Sequence, residues 1–551
     1  MSKLCEQINK AIKSFSPLIM SVGYQIAIFN DKEIVYKKQE GFDSLKPAIK
    51  TNDHSMYMIG SNTKVFTAVS ILQLMEDGKL SLSDDIKKYI PELSFKSLFD
   101  QETITIKDLL NHRSGITSDL YNFILDENKD YHDVVEALKD SYLTTKPSKM
   151  FSYSNVGYTL LGIIIERVSG LSYEEYIKEH ICKKLDIQIE FLKTEEQKAR
   201  FDNLSLCFNK KNKPIKDQVT TMVPAGSNTY IKLLDFVKFG QVFLNKGYPL
   251  LKESTYDLML QLDLKEEIDN ELSNVGYGLF HNNYSFAEVK DVYGHGGDTQ
   301  CHHSMFNFIP SKNIGVIVLT NTETATMSSR ILGIMGLSIY LSLNGVDVPK
   351  NLICKHNYVE KDFSKYLGKY ATPLGIMNLE LDKKGKLNTK IQGIKVKLCP
   401  CEDGYFQCVT RNVLLRLLIG NTVKKIRFNF IEYNNKEIVL LEQTQKNQVD
   451  KLVFGSRYID TSITESWKKA IGSYEGVDRI SKFELVDENG MLKIIIDFGF
   501  DKTTKYLWIY NDNLVVTQGY GRETNEVFEL SQEDDDLYLT CFGLKGKKKV
   551  K

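Results

Sequence analysis

The sequence has no net charge, no long apolar run and no regular cysteine pattern. Its 71 basic and 71 acidic side chains cancel, so the bulk composition attracts neither nucleic acid nor an acidic partner. Only the tail Lys545-Gly546-Lys547-Lys548-Lys549-Val550-Lys551 is strongly basic, and a solvated terminus is its expected meaning. No stretch holds eighteen uninterrupted apolar residues, and the N-terminal segment lacks the apolar core of a secretion signal. These absences predict a chain away from membranes, in the cytoplasm. Nine cysteines, an odd number at irregular spacing, do not make a disulfide framework. Cys399-Pro400-Cys401 with Cys408 has no fourth Cys or His at ligand spacing, so no metal is expected there.

What is present is an ordinary globular composition, 42% hydrophobic and 26% charged over 551 residues, long enough for several domains. One stretch organises it: Met58-Ile59-Gly60-Ser61-Asn62-Thr63-Lys64, then an apolar-periodic run from Val65 to Glu76 and a stop at Gly78. The periodicity predicts a helix with Ser61 at or just inside its N-terminus and Lys64 one turn on, sharing a face. A serine hydroxyl attacks poorly near neutral pH unless a base takes its proton, and an amine three positions along a helix is within reach. The free N–H groups of the first turn also favour negative charge developing there. Alone, the same residues would serve as a capping serine and an exposed lysine.

Residues from about 22 to 38 alternate as a β-hairpin turning at Asn30-Asp31-Lys32. Further on, Phe151-Ser152-Tyr153-Ser154-Asn155 precedes a run with the apolar spacing of a buried helix, which puts Tyr153 and Asn155 in the loop ahead of it. A tyrosine held near cations can act as a base, and asparagine offers a donor and an acceptor to a substrate amide. Tyr293-Gly294-His295-Gly296-Gly297-Asp298 sets a histidine between glycines, which let backbone and ligand approach closely. Two antiparallel strands follow, Met305 to Pro310 and Ile314 to Asn321, around a turn at Ser311-Lys312-Asn313. Adjacent histidines in Cys301-His302-His303 would point to opposite faces of a strand, so structure rather than coordination is expected.

Ser61-Asn62-Thr63-Lys64, Tyr153-Ser154-Asn155 and His295-Gly296-Gly297 match, in order, the patterns S-x-x-K, Y-x-N and K/H-x-G. Leu109 to Ile116 is similar to L-L-x-H-x-S-G-[LI], and Ser154-Asn155-Val156-Gly157-Tyr158 to S-N-x-G-Y. Pro224-Ala225-Gly226 and Val275-Gly276-Tyr277-Gly278 also fall where related pieces occur. On these motifs, residues from about 10 to 345 resemble the serine hydrolases that include class C β-lactamases, DD-carboxypeptidases, family VIII-type esterases and D-stereospecific aminopeptidases. The resemblance implies an α+β catalytic domain of the β-lactamase/transpeptidase type: an antiparallel sheet flanked by helices, with a largely helical insertion. It implies Ser61 as nucleophile, Lys64 and Tyr153 as the proton-shuttling pair, and His295 completing the catalytic set. Asn155, Gly296, Gly297 and Asp298 would bind substrate, the backbone N–H groups of Ser61 and Asp298 forming the oxyanion hole. No cofactor is required.

Two positions depart from the pattern. His295 stands where β-lactamases carry lysine, so weak or absent β-lactamase activity is expected. Asp298 puts a carboxylate where the family usually has a small residue: unpaired it would repel an anionic substrate and attract an amine, and paired it would do neither.

After about residue 350 the helical periodicity stops. Tyr366-Leu367-Gly368-Lys369-Tyr370 and Ala470-Ile471-Gly472-Ser473-Tyr474 open two segments of similar plan, with hairpin turns at Asp382 to Lys386 and Asp487 to Met491. Later turns correspond loosely at Asn434-Asn435-Lys436 and Asn511-Asp512-Asn513. The reading is two tandem antiparallel β-barrels, giving a division at 1–350, 358–459 and 463–551. This order resembles D-aminopeptidase-like members of the family, whose two barrels are lipocalin-like and where a barrel loop narrows the active site. Barrels that only stabilise the chain or mediate self-association are the other expectation.

The expected activity is that of a serine hydrolase working through an acyl-enzyme on a small D-amino-acid peptide or amide, or on an ester. Its partner would be a small molecule or short peptide, not nucleic acid or membrane. An acyltransferase or peptide cyclase would use the same residues, as would a weak β-lactamase or DD-carboxypeptidase. A catalytically idle binding scaffold is the rival from another class, and intact Ser61, Lys64, Tyr153 and His295 speak against it.

Overall fold

The computed structural model describes residues 3–549 apart from 101–102, 122–128, 217–221, 227, 262–274, 282–288, 290, 347–361, 392–393, 410–425, 434–435, 446–447, 478–480, 498–501 and 520–521. The expected turn at 434–436 therefore lies largely outside the described residues.

Strands Gly23–Phe29, Ile314–Thr320 and His303–Ile309 are buried along their whole length, which is why their sequences are so rich in apolar residues. They form the middle of a seven-stranded antiparallel sheet ordered Ala48–Lys50, Ile34–Leu45, Gly23–Phe29, Ile314–Thr320, His303–Ile309, Tyr293–Asp298 and Phe280–His281. The strand period of two divides their side chains between two cores. Ile26, Ile28, Val316 and Val318 pack with the helices Lys3–Phe15 and Thr326–Leu343. Ala27, Phe29, Ile317 and Leu319 join the larger core with Leu233–Leu244 and Thr63–Glu76. Phe29 fits there because position 315 is a glycine, where a Cβ would come within 2.5 Å of its ring. Among the described residues, Thr326–Leu343 is the one helix long and apolar enough to cross a membrane, and half of it is buried inside the protein.

Helix Thr63–Glu76 is buried without a break from Thr63 to Leu74, as a helix apolar on all sides should be. Ser61 lies two residues before it, in the 3-10 turn Gly60–Asn62, and not at or inside the helix N-terminus. The insertion between the first and third motifs is largely helical and includes Ile106–Leu110, Asn155–Ser169 and Tyr173–Ile177. It also contributes two strands to a small sheet, Met56–Met58, Thr229–Lys232 and Ile189–Phe191, that the periodicity did not announce. Among the described residues one disulfide forms, Cys207–Cys301, across 94 residues. It is a single bridge and not a framework: Phe208 N–H donates to Asn321 O at 3.1 Å, and this pairing brings Cys207 beside the central sheet.

The last third builds two closed eight-stranded antiparallel barrels, one from Gly368–Thr372 to Gln448–Arg457, the other from Gly472–Gly476 to Leu544–Lys548. The tandem repeat extends to single hydrogen bonds. Tyr370 Oη donates to Tyr366 O at 3.1 Å in the first barrel, and Tyr474 Oη to Ala470 O at 2.6 Å in the second. Both rings are fully buried. The Asn489-Gly490 turn has positive φ at both residues, 57° and 80°, which suits a two-residue hairpin. Tyr474→Phe leaves the Ala470 carbonyl without its donor and is expected to destabilise the second barrel by about 1–2 kcal/mol in urea unfolding. An unchanged midpoint would show that this bond contributes nothing.

Candidate active site

Three chain segments converge on Ser61. Its own turn carries Gly60 at φ +53°, where a Cβ would stand 2.9 Å from Asp298 N. A Cβ on Gly297 would meet Ile59 O at 1.9 Å, so strand Tyr293–Asp298 can lie against the serine turn only with glycine at that place. This close approach brings the backbone amide of Asp298 next to the nucleophile turn, while Gly296 is exposed at the strand's surface.

Lys64 lies one turn on from Ser61 and is completely buried. Its Nζ is 3.1 Å from Ser61 Oγ and 2.7 Å from Asn155 Oδ1, and it also donates to Ala225 O. Burial, helped by the charge of Arg522 and opposed by Asp119, holds the lysine pKa well below its ordinary value. The amine can thus be neutral beside the Ser61 hydroxyl. Tyr153 shares a hydrogen bond with Ser61, and the Lys64 ammonium position is 5.0 Å from its ring centre. Burial drives the Tyr153 pKa up; Ser61 and Arg522 pull the other way without overcoming it. The tyrosine is therefore held as a phenol, and of the expected pair only the Lys64 pKa is shifted toward neutrality of a base.

Asn155 is the first residue of helix Asn155–Ser169 rather than part of the loop before it, because Ser154 is the cap, accepting from Gly157 N–H at 2.9 Å. Ser154 N–H donates in turn to His112 Nδ1 at 3.1 Å, and the His112 ring lies 4.3 Å from that of Tyr153. His295 Nδ1 donates to Gly296 O at 2.5 Å, and its Nε2 has no partner among the described residues. Burial and the neighbouring Lys64 push its pKa down to about 3, so His295 is neutral at physiological pH. Burial, Lys64 and His295 likewise hold His112 low.

Asp298 is paired. Its Oδ1 accepts from His303 Nδ1 at 2.7 Å; burial raises the carboxyl, and His303, Arg330 and Thr326 more than offset it, leaving the pKa below its ordinary value. Of the two expectations for this residue, the geometry gives the paired one. His302 packs between Tyr57 and Tyr230, with ring centres 5.7 and 6.3 Å away, and Cys301 is in the disulfide. Among the described residues, no group of three or more His, Cys, Asp and Glu could hold a metal ion.

Several residues that shape this site belong to no motif of their own. Asp119, fully buried, accepts from Asn155 Nδ2 at 2.7 Å and from Arg522 Nη2 at 2.6 Å. Arg522 belongs to the second barrel, which docks on the segment after the Leu109–Ile116 signature. Tyr121 of that segment joins the second barrel's core, its N–H donating to Phe542 O at 2.8 Å. Glu526 accepts from Thr117 Oγ1 and from Ser118 N–H, both at 2.8 Å.

The beta-lactamase family matches residues 15–333, more than half of the chain. Protein flp of Staphylococcus aureus strain MW2 is 35% identical over 182 residues, which are 33% of this chain and 36% of that protein. The match thus spans about a third of the relative's length. The putative penicillin-binding protein PbpX of Bacillus subtilis strain 168 is 30% identical over 254 residues, 46% of this chain and 61% of that one. Among solved structures, the octameric penicillin-binding protein homologue from Pyrococcus abyssi aligns with 82% of this chain and 99% of its own at a TM-score of 0.54 and 23% identity, a likeness of fold.

Burial raises the Glu526 carboxyl to about 7, against an unfolded value of about 4.3. A folded-state pKa above the unfolded one adds stability that is complete below pH 4 and is lost as pH rises through about 7. Glu526→Gln should therefore flatten the fall in melting temperature between pH 6 and pH 8. A variant whose melting falls as steeply as the wild type's contradicts the assignment.

Proposed function

This chain belongs to the beta-lactamase family, a family of serine hydrolases, and on that premise we propose that Ser61 forms an acyl-enzyme with a small D-amino-acid peptide or amide, or with an ester. One observation carries the reading: a fully buried lysine amine, 3.1 Å from a serine hydroxyl, at a site with two carbonyl oxygens ready to receive its positive charge. Ser61 Oγ attacks the substrate carbonyl and gives its proton to Lys64 Nζ. Asn155 Oδ1 and Ala225 O then solvate the new ammonium, so the transition state gains more from them than the ground state does. The N–H groups of Ser61 and Asp298 receive the oxyanion, each worth roughly 3–4 kcal/mol by the usual measure of such donors. Lys64 returns the proton through the Tyr153 hydroxyl to the departing amine or alcohol. Water then attacks the acyl group, its proton passing back along the same pair, and Ser61 is regenerated.

The substrate class follows from charge. Neutral His295 supplies no fixed cation on its strand, Asp298 is occupied by His303, and the Arg522 guanidinium is shared with Asp119. A substrate that relies on a carboxylate anchor at the third motif, as a β-lactam does, is poorly served; a neutral ester or a small amide is not. Cytoplasmic placement belongs to the same reading, and the Cys207–Cys301 bridge tests it: full oxidation of that pair in cells would assign the chain to an oxidising compartment.

Intact-mass analysis after a fluorophosphonate is expected to give one adduct on the wild type and none on Ser61→Ala. Lys64→Ala should slow labelling roughly 10²- to 10⁴-fold, the usual range for a lost general base. D-Aminoacyl anilides and short-chain esters should turn over faster than a chromogenic cephalosporin. Labelling that survives Ser61→Ala, or rapid cephalosporin hydrolysis, would contradict the reading.

A further inference from the structure

A continuous line of hydrogen bonds joins the second barrel to the nucleophile. Arg522 Nη2 and Nε donate to Asp119 Oδ2 at 2.6 and 3.0 Å. The other carboxylate oxygen, Oδ1, accepts from Asn155 Nδ2 at 2.7 Å; Asn155 Oδ1 accepts from Lys64 Nζ at 2.7 Å; and Lys64 Nζ lies 3.1 Å from Ser61 Oγ. The Asp119 side chain is wholly enclosed, whereas the Arg522 side chain is 47% exposed and comes from the segment between strands Leu514–Thr517 and Val527–Glu533.

The direction of each bond from Arg522 to Lys64 is chemically forced. A carboxylate only accepts, so Asp119 must take the amide N–H of Asn155, and that choice turns the amide oxygen toward Lys64. An enclosed carboxylate in turn needs a cation or several donors, and Arg522 is the cation. The barrel does not need this pair to dock. Glu526 on Thr117 and Ser118, Tyr121 on Phe542, and Lys96 Nζ on Glu529 Oε2 at 2.7 Å already join the same surfaces.

Resting on the acyl-enzyme reading above, we propose that Arg522 is a positioning residue for the reaction: it fixes the Asp119 carboxylate, which locks the Asn155 amide with its oxygen on Lys64, so docking of the second barrel sets the nucleophile's base. The titratable or charged groups around Lys64 are Tyr153, Tyr158, His112, His295, Asp119 and Arg522. Arg522 and Asp119 act on the lysine in opposite senses. Removing the guanidinium alone therefore leaves the pull of the carboxylate and raises the pH at which the amine becomes neutral.

The test is the second-order rate of Ser61 labelling by a fluorophosphonate across pH 6 to 10, in the full chain, for wild type, Arg522→Ala, Arg522→Gln and Arg522→Lys. Folding of each is checked by circular dichroism and thermal melting. Arg522→Ala and Arg522→Gln should lose roughly 10- to 100-fold, the scale of a slightly misplaced group, with the acidic limb of the profile moved to higher pH. Arg522→Lys should lose less, and guanidinium ion at non-denaturing concentration should restore part of the Arg522→Ala rate without raising that of the wild type. A contact that merely braced the barrel would lower the melting temperature and leave the limb where it was. Folded Arg522→Gln labelled at the wild-type rate with an unmoved limb overturns the proposal, whether or not Arg522→Ala folds. Wild type that is not labelled at all overturns the acyl-enzyme reading instead, so the two failures are distinct.

Discussion

A primary amine sealed from water beside a serine hydroxyl is the constraint on which the rest of this structure depends. Lys64 is the fourth residue after Gly60 on a helix buried from its first turn, and solvent reaches no part of it. Burial of that kind disfavours the ammonium, and two carbonyl oxygens, from Asn155 and Ala225, hold the nitrogen in place. Each of those acceptors comes from a different segment. Asn155 opens a buried helix capped by Ser154, and Ala225 precedes Gly226, whose φ of +129° lets its backbone lie against Gly60. The seven-stranded sheet closes the other side by laying strand Tyr293–Asp298 on the serine turn.

The surroundings are kept neutral in the same way. Tyr153 stays a phenol because it is buried, and His112 and His295 stay uncharged chiefly because burial disfavours the imidazolium. Full charge lies further out, in the Arg522–Asp119 pair on the barrel side and in Asp298 with His303 on the strand side. A proton passed from Ser61 to Lys64, as proposed, would thus create a charge in a place already furnished with acceptors. Preorganisation of this kind costs no rearrangement at the moment of reaction.

How much of this was legible in the sequence depended on distance along the chain. The Ser61–Lys64 helix, the hairpin begun by Gly23–Phe29 and the pair His303–Ile309 and Ile314–Thr320 are local patterns of period 3.6 or 2, and they read correctly. The tandem barrels read because the same turn and tyrosine recur, and Tyr370 and Tyr474 make the same backbone contact. The apolar pattern places Asn155 in a loop because the serine that caps its helix is the residue before it, and one residue is within the ordinary error of helix ends. Asp119 and Arg522 were invisible: they are 403 residues apart, and nothing but the docking of a barrel on the catalytic domain brings them together. The Cys207–Cys301 bridge was hidden for the same reason.

The central claim is that Lys64 is a neutral amine when Ser61 reacts. The most direct measurement is an NMR titration of lysine ¹³Cε in labelled protein from pH 6 to 11, with the Lys64 resonance assigned by its loss in Lys64→Arg. The account predicts that this one lysine titrates well below the ordinary lysine value of about 10.4. A Lys64 resonance that titrates with the surface lysines, or above them, would contradict it.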